Sequence, residues 1–246
     1  MAAGTRLTWH QAHLVDRRQE TDAAVTLVFG VPGWPGHLPG QHVDVRLTAE
    51  DGYSTQRSYS LAAPDHGARV ELTVQVVEDG EVSPFLAEDL KIGDPVELRG
   101  PVGGWFVWSP NKTGPVLLAG GGSGVVPLMA MVRARHEAGS AAPFHLVYSV
   151  RTPDDVYYAA ELDRRLRHDD GLRVTVVHTR RAPLGASRPA GRLGTAEFAE
   201  LAWPVEREPV NFVCGPTGFV DEVARRLVVL GHPDHRVRTE RFGATG

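Results

Sequence analysis

The feature that most limits the fold is a change of hydrophobic period near "SPNKTG", residues 109–114. Before it the chain reads as short strands. In "RVELTVQVV", Val70, Leu72, Val74 and Val76 face one way and Glu71, Thr73 and Gln75 the other, the period-two signature of a half-buried antiparallel strand. "AAVTLVF" and "HVDVRL" read alike, and Gly/Pro turns such as "PGWPGHLPG" and "KIGD" separate the runs. Many short strands joined by such turns predict a small antiparallel barrel. One helix interrupts it at "SPFLAEDL", with Ser83 as N-cap and Pro84 at the first helical position.

After the change, apolar strands alternate with helices. Strands "PVLLAG", "FHLVYSV", "RVTVVHT" and "VNFVCG" lead to helices "VPLMAMVRARHEAG", "VYYAAELDRRLR", "TAEFAEL" and "GFVDEVARRLVVLG". A last strand, "RVRTERF", follows. This order predicts a parallel sheet covered by helices on both faces. The expected organisation is therefore an antiparallel β-barrel domain over 1–110 and an α/β parallel-sheet domain over 111–246, a length that suits two ordinary domains.

Composition excludes several classes. The net charge of −4 gives no reason to expect nucleic acid, and no apolar run reaches the length of a membrane span. The N-terminus lacks an apolar core followed by a small-residue cleavage site, so cytoplasmic residence is expected. Cys214 is the only cysteine, which rules out an intrachain disulfide and a four-thiolate cluster. The pairs His10/His13 and His232/His235 have a spacing metals use but no evident further ligands, so no metal is expected.

Two stretches carry candidate chemistry. "LLAGGGSGVVP" follows a strand and opens a helix, so Gly120, Gly121, Gly122, Ser123 and Gly124 can bring backbone amides to a pyrophosphate. Val125 or Pro127 stands where a third fingerprint glycine would fall, and a plain tight turn is the alternative. The second strand ends at Arg151, the third at Thr179 and Arg180, and Arg192 follows. These strand-end arginines suit an extra phosphate, unless Asp154 and Asp155 neutralise Arg151. In "RSYSLAA", Arg57, Ser58, Tyr59 and Ser60 supply a cation, a flat ring and small hydroxyls at a strand end, a set that suits a phosphate-bearing aromatic ligand.

The ordered set "GQHV", "RSYS", "DGEVS", "GPVGGW", "AGGGSGVVP", "YSVRTPDD", "CGPTG" and "ERFG" resembles the ferredoxin–NADP reductase family over nearly the whole chain. The resemblance implies FAD in preference to FMN. Arg57 would hold the flavin phosphate, with Ser58 on the same strand edge. Tyr59 would stack on the isoalloxazine and Ser60 approach its N5. Gln75, Val76 and Val77 would line the ring, while Gly80, the amides of Glu81 and Val82, and Ser83 would hold the pyrophosphate. Trp105 stands where the family usually has phenylalanine. Cys214, Gly215 and Pro216 would flank the nicotinamide, Glu240 would act beside N5 and Phe242 would sit against the flavin, so the implied catalytic residues are Ser60, Cys214 and Glu240. Gly243–Gly246 would form a tail over that site.

The implied activity is hydride transfer from NADPH, favoured over NADH by Arg151, Arg180 and Arg192, to FAD. Electrons would then pass to a separate ferredoxin, oxygenase component, other metalloenzyme or small molecule. A reductase that releases free flavin, and a docking subunit that never uses nicotinamide, are the alternatives.

Overall fold

A computed structural model describes residues 7–49 and 51–242. Residues 1–6, part of the N-terminal segment just read, and the tail expected after Phe242 lie outside them. The first sheet contains β1 (Trp9–Thr21), β2 (Ala24–Gly30), β3 (His42–Thr48), β4 (Ser54–Ser60), β5 (Arg69–Gln75) and β6 (Pro95–Val102), in the order β4-β3-β6-β1-β2-β5 with every pairing antiparallel. Its two edges meet where Leu61 bridges Leu72 and the Ala62 N–H donates to the Glu71 carbonyl at 2.8 Å, closing the sheet into a barrel. Leu14, Leu27, Phe29, Val43, Val45, Leu61, Leu72 and Leu98 are fully buried inside it.

A helical turn, α1 (Val82–Pro84), widens into a π-type turn over Phe85–Asp89 and buries Val82, Leu86 and Leu90 in the barrel core. The expected N-cap is corrected here. The turn begins at Val82, ahead of Ser83, because Ser83 Oγ accepts from the Val77 N–H at 3.1 Å and ties down the preceding loop. The half-buried reading of β5 fits Val70, Leu72 and Val74 inside and Glu71 and Gln75 outside, and departs at Thr73, which lies on the outward side yet is buried where Tyr158 of the second domain covers it.

The second sheet is wholly parallel. Its strands are β7 (Val116–Gly121), β8 (Phe144–Val150), β9 (Leu172–His178), β10 (Val210–Pro216) and β11 (Val237–Phe242), in the order β11-β10-β7-β8-β9. Helices α2 (Val125–Glu137) and α3 (Ala159–Leu166) cover one face, and α4 (Thr195–Leu201) and α5 (Thr217–Val229) the other. Burial on both faces explains the unbroken apolar run of β7: Leu118 packs with Leu128 and Met129 of α2, Leu117 with Val220 and Leu227 of α5. Helix α3 starts at Ala159, later than the expected 156, because Tyr158 adopts a left-handed conformation (φ 59°) and both Tyr157 and Tyr158 turn inward and are buried. The core under α2 runs on into the barrel side through Ala24, Ala62, Phe106 and Trp108.

Candidate active site at the junction of barrel and sheet

Strands β7 and β10 are neighbours, but the connections leaving them run to opposite sides, so a crevice opens beyond their carboxyl ends. The N-termini of α2 and α5 both point into it, each bringing unpaired amides and partial positive charge. Two glycines make the crevice possible. A Cβ on Gly124 would fall 2.2 Å from the Cys214 carbonyl oxygen, so the glycine loop lies directly on the β10 backbone. Gly215 has φ 149° and passes so close to Gly121 that a Cβ would meet its carbonyl at 2.9 Å.

A cavity of about 560 Å³ occupies this crevice. Gly121, Gly122, Ser123, Arg151, Thr179, Arg192 and Pro216 line it, together with Gln75 from the barrel. Arg180 does not line it and is exposed, its backbone N–H held by the Arg151 carbonyl. Asp154 pairs with Arg181, and the Asp155 carboxylate accepts from the N–H and hydroxyl of Thr152, both at 2.8 Å. Among the described residues Arg151 therefore has no ion-pair partner. Arg188 donates to the Gly191 and Arg192 carbonyls, and Arg226 to that of Leu193, which fixes the loop that carries Arg192.

The "RSYS" segment forms the end of β4. Tyr59 is half-buried against the barrel core, and burial raises its hydroxyl pKa. Arg57 donates to the Gln56 carbonyl and has no ion-pair partner among the described residues. Ser58 is exposed and donates to Asp44 at 2.6 Å, in the carboxylate that Arg99 also holds. Val76 and Val77 lie beyond the end of β5, Val77 well exposed. The Gly80 N–H donates to the Val77 carbonyl, and the Glu81 carboxylate is drawn off by the Tyr53 hydroxyl at 3.0 Å. The first-turn amides that follow Glu81 have no acceptor within the turn.

The two domains meet at Ser60. Cys214 and Glu240 are register partners on β10 and β11, and Pro216 and Phe242 pair two residues on. Cys214 is fully buried. Burial first, and the neighbouring Glu240 charge second, push its thiol pKa well up, so it packs as a neutral group. Burial pushes the Glu240 carboxyl up to about 7, and the facing Ser60 hydroxyl offsets part of that rise. Ser60 Oγ is buried and makes no hydrogen bond of proper geometry. His42 Nδ1 stands 4.0 Å from Glu240 Oε1, and burial lowers its pKa against the pull of Asp44. His42 was missed as a site residue, although "GQHV" contains it and its alternation with Asp44 puts both on one side of β3. Phe242 is half-buried against the core under α2.

A strand end that presents Arg57 and Tyr59 thus stands on the barrel, and the crevice that the N-termini of α2 and α5 enter stands at the carboxyl ends of the parallel sheet. Family models match both parts. The model of the oxidoreductase FAD-binding domain matches residues 11–107, and that of the oxidoreductase NAD-binding domain matches residues 118–225. A glycine betaine monooxygenase reductase subunit of Chromohalobacter salexigens is 32% identical over 98% of this chain and 67% of its own length. A ferredoxin–NAD(P)(+) reductase component of naphthalene 1,2-dioxygenase/salicylate 5-hydroxylase systems from a Ralstonia species is 31% identical over 79% of this chain and 58% of its own. The FAD/NAD-binding domain of a Vibrio cholerae nitric oxide dioxygenase has the same fold, with a TM-score of 0.84 at 24% identity over 95% of this chain and 98% of that one. The chain belongs to the ferredoxin–NADP reductase family, and it spans 58% to 67% of the length of these two curated relatives. Among the described residues no helix is long and apolar enough to cross a membrane.

Proposed function

We propose that the chain is an FAD-dependent NAD(P)H oxidoreductase that hands electrons to a separate acceptor. The observation that carries this reading is the meeting of Ser60, Cys214 and Glu240 from two domains beside the crevice, with Ser60 Oγ buried, facing the Glu240 carboxyl and making no hydrogen bond of proper geometry. A buried hydroxyl without a well-made hydrogen bond is costly unless a ligand supplies one.

The residues present fit FAD. Arg57 takes a phosphate, Tyr59 lies against a ring face, Gln75–Val77 border it, and the Gly80–Val82 amides with Ser83 hold a pyrophosphate at the turn. Bound FAD supplies a hydride acceptor for the nicotinamide and can release electrons one at a time. The protein's part is placement. Ser60 offers its hydroxyl, Cys214 and Gly215–Pro216 give a small strand end for the nicotinamide, and Glu240 holds or releases a proton near neutral pH.

The glycine loop Gly121–Gly124 takes the pyrophosphate of the second nucleotide. Arg151 and Arg192 favour NADPH, since both line the cavity and their charges are not taken up by acids. The barrel domain is assigned 1–110 and the nucleotide domain 111–246. The acceptor is a ferredoxin, an oxygenase component or another redox protein, by analogy with the reductase components it resembles. Purification at fixed FAD followed by anaerobic addition of NADPH tests the reading. A retained flavin that bleaches supports it. A colourless protein that oxidises NADPH only with added flavin makes flavin a substrate, and a coloured protein that no nucleotide reduces removes the nicotinamide role.

A further inference from the structure

Arg133 is one of two buried arginines on α2, and its side chain leaves its own domain. Its Nη1 donates to the Ala62 carbonyl at 2.7 Å and stands 3.8 Å from Glu71. Its Nε and Nη2 take Glu161 of α3, and its guanidinium lies 4.7 Å from the Tyr158 ring centroid. The Tyr158 hydroxyl shares a hydrogen bond with Thr73, Thr73 with Thr26, and Thr26 donates to Glu20. Glu20 accepts in turn from the Tyr158 N–H at 3.1 Å. Tyr158, Thr73, Thr26 and Glu20 thus close a hydrogen-bonded ring that Arg133 meets through the Tyr158 face, and against the upward push of burial Arg133 and Arg165 hold Glu161 ionised down to about 2.

What Arg133 grips decides its meaning. Ala62 lies two residues past Ser60, and its own N–H is bonded to Glu71 of β5. The other end of α2 begins beside Gly124, which rests on the Cys214 carbonyl. From Val125 to Arg133 the helix rises about 12 Å. One rigid helix therefore touches the strand end that carries Ser60 and the strand end that carries Cys214. We propose that α2 is a strut that sets the spacing between the Ser60 and Cys214 strand ends, and that Arg133 is the positioning residue that fastens it to the barrel.

Arg135 supplies the internal control. It too is buried on the same helix, but it binds Asp169 and the Ala142 carbonyl within its own domain. Because Cys214 is fully buried, cysteines introduced at Ile92 on the barrel and Val229 on α5, 59% and 66% exposed, can be spin-labelled selectively. Pulsed electron spin resonance then reads the distance between the domains.

The parent should give one narrow distance distribution. Arg133→Met should broaden or shift it, while Arg135→Met lowers the melting temperature and leaves it narrow. At saturating NADPH and equal flavin content, flavin reduction in Arg133→Met should slow about tenfold to hundredfold, the effect expected of misplacing reacting groups by about 1 Å. A distribution in Arg133→Met as narrow and as placed as the parent's overturns the strut, and so does equal broadening in Arg135→Met. If Arg133→Met does not fold, Arg133→Lys, which keeps the charge but loses the fork that holds the Ala62 carbonyl and Glu161 together, is read by the same criterion. The kinetic arm rests on the reductase reading. The distance arm does not, so failure of the one is distinguishable from failure of the other.

Discussion

Glu240→Gln gives the most quantitative check on the junction. In the unfolded chain the carboxyl titrates near its ordinary 4.5, and in the folded protein it is pushed up to about 7. Below 4.5 both states hold the proton and the residue adds no pH dependence. Between 4.5 and about 7 the unfolded chain ionises while the folded chain keeps its proton, so stability falls as pH rises; above about 7 the loss is complete. That interval is worth roughly 3 kcal/mol at 1.36 kcal/mol per pH unit, an upper bound because the side chain is 19% exposed. Glutamine keeps the shape and cannot ionise. Urea unfolding followed by tryptophan fluorescence, at fixed flavin content and at several pH values from 4 to 9, measures the difference. The variant should match the wild type near pH 4 and exceed its stability by about 1–3 kcal/mol at pH 9. A gap independent of pH would refute the buried, proton-holding role of Glu240.

Gly124→Ala should lower the melting temperature by several degrees and abolish binding of 2′,5′-ADP in calorimetry. Its methyl would sit 2.2 Å from a carbonyl that cannot retreat, and overpacking of this kind costs about 1–3 kcal/mol or more. Tyr59→Ala should lose most of its flavin on gel filtration, read by visible absorbance; full retention would remove the stacking role. Arg192→Ala should raise the KM for NADPH about tenfold or more over its effect on NADH, the worth of a charge-assisted phosphate bond. Arg180→Ala should change neither KM, because its side chain lies outside the cavity.

The α/β half was legible because each strand is buried on both faces and its apolar residues run together, as in "PVLLAG" and "VNFVCG". The barrel was less so. Strand β1 went unread because a bulge between Leu14 and Asp16 breaks its alternation and leaves Val15 outside. Strand β6 hid among Arg99, Gly100 and Pro101, which look like a turn. The bond from the Val77 N–H to Ser83 Oγ, which ties the loop before α1, depends on φ/ψ that composition does not report. Of the strand-end arginines, Arg151 after β8 and Arg192 late in the loop between β9 and α4 line the cavity, and Arg180 at the start of that loop does not, a distinction that residue type and spacing do not carry. The seam of Arg133, Tyr158 and Thr73 was invisible for a similar reason. Each residue looks ordinary on its own element, and only the docking of barrel on sheet brings them together.

The central claim is that one chain joins a bound flavin to a nicotinamide nucleotide. The most direct measurement is an anaerobic titration of the flavin-loaded protein, with NADPH and NADH in separate cuvettes, followed by visible absorbance. The flavin band should bleach with one equivalent of NADPH, and more slowly or only at higher concentration with NADH. A bound flavin that keeps its colour with both nucleotides would contradict that claim.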